Sequence, residues 1–324
     1  MRFRRREFLL AAGAAALPLA ARIAMAQTYP ARPVQIIVPA TPGAGSDVAA
    51  RLKAQRLSER LDRPFVVENR SGAGTNLGTE FVVRAPPDGY TLLLVTPANT
   101  INAALYDNLN FNFIRDIAPV AGILRGPEVM EVYPAVPIRT IPEFVAYAKA
   151  NPGKLNIGSS GVGSGSHLAG ALFKSMTGVE WFHVPYRGPA EAQTALLSGQ
   201  IQVYFGPLSA AIEFIRSGQV RALAVTSAMR ATALPDIPTV AEFVPGYEAS
   251  GWFGLGAPKN TPVDIVDKLN DEINASLTEP KTIAQLADLG GIPLAISPAE
   301  FGTFVADETE KWTKVIRAAG IKAE

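Results

Sequence analysis

The sequence predicts an α/β protein built as two α/β domains with a ligand cleft between them. Three observations lead there. Short β-branched or apolar runs alternate with amphipathic helical patterns, as strand–helix units on mainly parallel sheets require. Glycine-rich stretches stand at several of the strand-to-helix junctions. The chain has 324 residues, more than one ordinary hydrophobic core accommodates, so two domains are expected.

In order, "VQIIVP" at 34–39 reads as a buried strand, and "SDVAARLKAQRLSERL" from Ser46 as an amphipathic helix with Ser46 or Asp47 near its N-cap. "PFVVEN" gives a second strand and "TNLGTEFVVRA" a second helix. "YTLLLVT" gives a third strand after the Pro87-Asp88-Gly89 turn. A second α/β series begins near Gly126. It runs through the strand "LNIGSS", the helix "HLAGALFKSMTG", the strand "WFHVPY", the helix "AEAQTALLSG", the strand "IQVYF", a short helix and the strand "VRALAVTS". A further strand near Trp252 to Gly256 leads into three helical patterns, "PVDIVDKLNDEINASL", "TIAQLADLG" and "PAEFGTFVADETEKWTKVIRAAG". This block has too few strands for a third sheet and is expected to pack back on the first unit. The expected layout is a discontinuous domain, residues 27–127 plus 247–324, and an inserted domain, residues 128–246. Clefts between domains are where small ligands usually bind.

Residues 1–26 are expected to be an export signal. Arg4, Arg5 and Arg6 precede an apolar stretch from Phe8 to Ala21, and Ala24-Met25-Ala26 fits a cleavage site. Arg5-Arg6-Glu7-Phe8-Leu9 matches the twin-arginine pattern, and an ordinary secretory signal is the alternative. Removing those residues takes away five arginines and one glutamate, which leaves 25 basic and 28 acidic residues and a net charge of −3. That balance offers no basic patch for nucleic acid. The absence of cysteine excludes disulfides and thiolate metal sites, and two histidines, His167 and His183, leave little for an imidazole site. No cofactor is expected, and the exported product is expected to be a soluble periplasmic monomer.

The loop "VPATPGAGSD", Val38 to Asp47, follows a strand and opens a helix. Gly43-Ala44-Gly45 supplies two glycines of a dinucleotide fingerprint, but Val48 stands at the third position, and no lysine fits a P-loop. Backbone N–H groups and a helix N-terminus can instead serve an anion; the plain alternative is a tight turn. Asp47 is expected to cap the helix and brace the loop. "RSGAGTNLG", with Asn76, and "GSSGVGSGSH", Gly158 to His167, are further junctions of this kind. Ser159, Ser160, Ser164 and Ser166 near His167 invite a serine-hydrolase reading of the 159–167 loop, but Val162 spoils the nucleophile elbow. His167 reads more simply as a helix-start residue ordering the loop, and His183 as a packed or hydrogen-bonded strand residue. Arg187, beside Tyr186, can pair with a ligand carboxylate or be solvated.

The ordered set "VPATPGAGSD", "VENRSGAGTNLGTEFV", "APPDGYTLLLVTPAN", "GSSGVGSGSHLAGALFKSMTG", "HVPYRG", "GQVRALAVTS" and "LPDIPTVAEFVPGYE" resembles the substrate-binding receptors of tripartite tricarboxylate transporters, the Bug receptors. The resemblance runs from about Tyr29 to the C-terminus. It implies a periplasmic-binding-protein type II fold, small carboxylate ligands held by backbone amides, hydroxyls and water, and delivery to membrane permease subunits. Carried over by position, the first ligand loop is Ala40, Thr41, Pro42, Gly43, Ala44, Gly45, Ser46 and Asp47. Its partner loop supplies Ser159, Ser160, Gly161, Ser164 and His167, and Asn76, Thr96, Tyr186, Gly206 and Pro207 complete the candidate site. The chain departs from the family pattern at Ala40, Thr41 and Ala44. It also has Gly206-Pro207 where many members carry an acid able to anchor an amino group. The expected ligand is therefore a carboxylate without an ammonium group, with room for a bulky or aromatic body beside Ala40 and Gly206.

Overall fold

The computed structural model describes residues 29–106 and 108–322; the export signal expected at residues 1–26 lies outside them. The first lobe opens with β1 (Val34–Val38), α1 (Gly45–Leu61), β2 (Phe65–Asn69), α2 (Asn76–Val83), β3 (Thr91–Val95), α3 (Pro97–Leu105) and the single turn α4 (Phe113–Asp116). The long strand β4 (Ile117–Val132) then carries the chain into the second lobe. There follow α5 (Ile141–Ala150), β5 (Asn156–Ser159), α6 (Gly165–Thr177), β6 (Phe182–Pro185), α7 (Pro189–Leu197), β7 (Val203–Pro207), α8 (Leu208–Arg216) and β8 (Arg221–Val225). The return strand β9 (Ser250–Pro258) leads to α9 (Val263–Leu277), α10 (Pro280–Asp288), β10 (Ile292–Pro293) and α11 (Pro298–Ala319).

The strands join in the order β2-β1-β3-β9-β4-β7-β5-β6. β4 changes partner along its length: Ile117 to Pro127 pair antiparallel with β9, and Glu128 to Val132 with β7. Its interior carries Pro119, Gly122, Gly126 and Pro127, residues that read as turns. Register shifts against β9 between Pro119 and Ala121 and between Gly122 and Leu124 absorb part of that irregularity. This strand, α3 and α5 have no counterpart among the elements expected from sequence.

Packing follows from the alternation. Val34, Ile36 and Val38 of β1 enter one core with Ala50 and Leu57 of α1, while Ile37 faces the opposite core with Leu93 and Val95. Helix α11 starts on a reciprocal box, Ser297 N–H to Glu300 Oε2 at 2.8 Å and Glu300 N–H to Ser297 Oγ at 3.2 Å, and stops at Gly320 with φ of +63°. The C-terminal block packs on the first unit, as expected, and also reaches beyond it. Phe301 and Val305 pack in the first lobe, but Trp312, Val315 and Ile316 join Met130, Phe173 and Phe205 in the core of the second. A helix of 22 residues is about 33 Å long and outruns a single lobe.

Where the lobes meet, Gly126 of β4 lies opposite Gly251 of β9. A methyl group on Gly126 would come within 2.9 Å of the Gly290 carbonyl oxygen, whereas one on Gly251 would meet nothing nearer than 3.7 Å. Beside this pair Arg125 reaches Glu248 at 2.6 Å, and Lys311 of α11 reaches the same carboxylate at 3.2 Å. Buried Glu308 accepts from the indoles of Trp252 at 3.3 Å and Trp312 at 2.9 Å, which ties α11 to the crossing. Gly126→Ala is expected to lower stability by about 1–3 kcal/mol and Gly251→Ala to leave it unchanged, read as urea midpoints.

Candidate functional site

Strand direction brings the glycine loops face to face. β1 runs parallel to β3, β3 is antiparallel to β9, and β9 is antiparallel to β4, so β1 and β4 point the same way. β7 opposes β4, and β5 follows β7. The carboxyl ends of β1 and β5 therefore point at each other along β4. Val95 stands opposite Gly254 and thereby level with Gly122, and Gly158 stands opposite Tyr204 and level with Glu131. The strand ends are thus about 30 Å apart at the rise of an extended chain, and the loops fill that span from both sides. The second loop reaches the first lobe at Gly163, where a methyl group would come within 2.5 Å of Leu105 Cδ1 of α3.

The first loop engages Gly43 N–H and Ala44 N–H and leaves the N–H groups of Gly45 and Ser46 without a partner among the described residues. Helix α1 begins after Ala44 and has no side-chain cap. Ser46 and Asp47 lie in the first turn next to the N-cap, Ala44, as the sequence suggests, but Asp47 does not cap the helix. Asp47 braces the loop: its Oδ2 accepts from Gly43 N–H at 2.9 Å and Arg51 Nε at 3.0 Å, and its Oδ1 from Asn69 at 2.8 Å. Burial alone would raise the pKa of Asp47, but the bonds from Arg51, Gly43 and Asn69 outweigh it and hold the carboxyl below its ordinary range. Gly43 takes φ of +82°, which a side chain would strain. Thr41, Pro42, Gly43 and Gly45 are exposed, Ala44 is half-buried, and half-buried Ala40 packs against the first-lobe core. The N–H groups of Gly45 and Ser46 have no partner among the described residues, so the N-terminus of α1 is open to an anion.

Beside it, Asn76 and Thr96 belong to a buried amide–hydroxyl network. Asn102 Nδ2 donates to Asn76 Oδ1 at 2.8 Å and Gly74 O at 2.5 Å; Asn99 Oδ1 accepts from Thr96 N–H at 2.8 Å, and its Nδ2 donates to Thr79 at 2.8 Å. Asn99 and Asn102 were not anticipated, although "PANTIN" shows two amides one helical turn apart.

The second loop spends most of its donors on itself. Ser160 N–H donates to Ser166 Oγ at 2.8 Å, Gly161 N–H to Ser159 Oγ at 3.2 Å, and Gly163 N–H to His167 Nδ1 at 3.1 Å. Ser164 caps α6, accepting from His167 N–H at 3.4 Å, and Ser160 Oγ meets Tyr204 OH at 2.8 Å. Gly165 and Ser166, in the first turn of α6, keep N–H groups without a partner among the described residues. Tyr186 N–H ties back to Ser159 O at 2.9 Å, and Arg187 is exposed.

The imidazoles of His167 and His183 stack with centroids 3.9 Å apart. Because Nδ1 of His167 accepts from Gly163, the ring is the neutral Nε2–H tautomer. Burial, with the neighbouring His183, pushes its pKa down to about 4, and burial lowers that of His183 as well. The Ser–His contact that forms is Ser159 Oγ to His183 Nε2 at 2.7 Å. Ser159 is fully buried, and neither imidazole has a carboxylate partner among the described residues, so this pair lacks the orienting acid and the access of a nucleophile. His167 and His183 line a cavity of about 440 Å³ together with Ser166, Lys174, Trp181 and Ile321.

Gly206 does not open ligand space as expected. The point where its Cβ would stand is 2.4 Å from Glu131 Oε1 and 2.6 Å from the Tyr204 ring. A carboxyl from β4 thus occupies the space beside Gly206. Glu131 is fully buried, and its Oε2 accepts from Gln193 Nε2 at 2.8 Å. Glu128 lies directly opposite Pro207. Sequence reasoning overlooked both acids, although "PEVMEV" signals them as charges inside an apolar strand.

A family model described as the tripartite tricarboxylate transporter family receptor matches residues 49–321. BugT of Bordetella pertussis is 37% identical over 300 residues, 92% of each chain. An R. palustris protein solved with adipate superposes with a TM-score of 0.79 at 38% identity, covering 91% of this chain and 99% of that one. MatC from Rhodopseudomonas palustris, solved with bound malate, gives 0.75 at 30% identity over 89% and 100%.

Protonating His167 removes the acceptor for Gly163. With a pKa of about 4 folded against about 6.5 unfolded, the unfolded chain binds this proton first, so stability is lost as pH falls from 6.5 toward 4. The melting temperature should decline across that window and decline less in His167→Gln.

Proposed function

The chain belongs to the tripartite tricarboxylate transporter receptor family, whose members are solute-binding receptors and not enzymes, and from that premise we propose that it captures a small organic carboxylate between the Ala40–Asp47 and Ser159–His167 loops. The observation that carries this reading is that α1, without a side-chain cap, and α6 start from the loops after β1 and β5, strands whose carboxyl ends face each other along β4. Two sets of unpaired N–H groups, each with the favourable end of a helix dipole, suit an anion. The adipate and malate in the two solved relatives support the ligand class.

The lobes, residues 27–127 plus 247–324 and residues 128–246, close about the crossing at Gly126 and Gly251. Closure requires that the closed state bind the ligand more tightly than the open one. The receptor is exported, loses its leader near Ala26, acts as a monomer and delivers its ligand to membrane permease subunits. Asn76, Thr96, Tyr186 and Pro207 line the approach.

The ligand lacks an ammonium group. No ionised acid faces the cleft from β7, and burial pushes Glu131 and Glu128 up to about 8, so both are neutral acids at pH 7. Ala40 leaves room for a bulky or aromatic body, a reading that no longer draws on Gly206.

A thermal-shift and calorimetry panel of succinate, adipate, malate, benzoate, aspartate and glutamate tests this. A ligand at a hundredfold excess over its Kd adds roughly 2.7 kcal/mol of stability, and at least one of the first four should raise the melting temperature and bind with unit stoichiometry. No shift from any carboxylate removes the ligand class; tight binding of aspartate or glutamate removes the restriction against an amino group.

A further inference from the structure

The two acids of β4 are not equivalent. Glu131 Oε2 is satisfied by Gln193 Nε2, and Glu131 Oε1 and Gln193 Oε1 are both buried without a partner. Glu131 thus has one side-chain partner inside the protein, through Oε2.

Glu128 has no such neighbour. Its backbone is clamped: N–H donates to Thr226 Oγ1 at 2.9 Å, and its carbonyl accepts from Thr226 N–H at 2.9 Å. The side chain lies at the first turn of α6, with Oε1 2.8 Å from where a methyl group on Gly165 would stand, and Oε2 is buried without a partner. The nearest cation on the strand, Arg125, is engaged by Glu248. Oε2 has no partner among the described residues, so an acceptor for an O–H there must arrive from outside. The unpaired N–H groups of Gly165 and Ser166, in that same turn, already select an anion.

We propose that Glu128 is a specificity-determining residue of the second lobe, donating a hydrogen bond from its carboxyl to a carboxylate oxygen of the bound ligand. This rests on the receptor reading above and deepens it. The donor supplements a loop that spends most of its own amides internally. An O–H···O⁻ bond is among the stronger neutral-to-charged contacts and creates no ion pair to break at release. Ionised, the same group would repel the ligand.

Burial holds the proton on Glu128 up to about pH 8. The titratable and charged groups around it are Glu131 and Arg125 on its own strand, Tyr204 of β7, Tyr247 and Glu248 before β9, and His167 of α6. Tyr204 and Tyr247 are raised well above 10, first by burial and then by these carboxyls, and His167 is neutral above about 4, so none of these three changes charge between pH 7 and 9. Glu131 is raised to about 8 as well, with Oε2 held by Gln193 and Oε1 buried beside Gly206, and it is unchanged in the Glu128 variants, so the comparison between them isolates Glu128.

The test is calorimetry with succinate, adipate, malate and benzoate on the full chain, its Glu128→Gln and Glu128→Leu variants, at pH 7 and pH 9, with unliganded melting curves as the folding control. Wild-type affinity should fall at least about tenfold between the two pH values. Glu128→Gln, which keeps a neutral donor and cannot ionise, should hold its affinity at both. Glu128→Leu should bind about 10- to 100-fold more weakly at pH 7, the range for losing a hydrogen bond to a charged group. Equal binding by folded Glu128→Leu and wild type overturns the inference, as does the same pH profile in wild type and Glu128→Gln. If Glu128→Leu does not fold, the pH comparison decides alone. A wild type that binds none of the four removes the carboxylate reading, and this inference with it.

Discussion

One strand shared by two lobes constrains everything else. β4 cannot change direction at the boundary, so the parallel strands of the first lobe and those of the second must approach it from opposite ends. Their carboxyl ends, where open α/β sheets place ligands, then face each other. The return strand β9 crosses at the same place, and the Gly126–Gly251 pairing sits at the junction. Arg125, Glu248, Lys311 and Glu308 tie that junction to α11, which reaches into both cores.

The loops suspended from this frame divide the work. The first is held from below by Asp47 and leaves its helix N-terminus open; the second is drawn together by its serines and by His167. A rigid loop with few free donors fixes position, while an open helix terminus supplies attraction. Holding an anion with amides and neutral acids avoids the desolvation cost of a buried ion pair. It also leaves no unpaired buried cation after release, which suits a carrier that must let go.

Much of this was legible in the sequence. Each expected strand–glycine–helix junction exists, because apolar runs of four to six residues and glycine punctuation are local signals. β4 was not legible: Pro119, Gly122, Gly126 and Pro127 imitate turns, and only pairing with strands more than 70 residues away makes them a strand. The same non-local pairing hid Glu131. Nothing local to Gly206 says that a carboxyl from a neighbouring strand occupies its side-chain space. The sequence reading placed the C-terminal block on the first unit; the 22-residue length of α11 carries it into both cores, and its capping box does not tell which cores a helix joins.

The central claim is that a carboxylate is clamped between the N-termini of α1 and α6. The most direct measurement is a crystal structure of the protein grown with a carboxylate that raises its melting temperature. The account predicts carboxylate oxygens within hydrogen-bond distance of the Gly45 or Ser46 amides on one side and of Gly165, Ser166 or Glu128 on the other. A carboxylate seated instead in the cavity lined by His167, His183, Lys174 and Trp181, with both helix N-termini free, would contradict it.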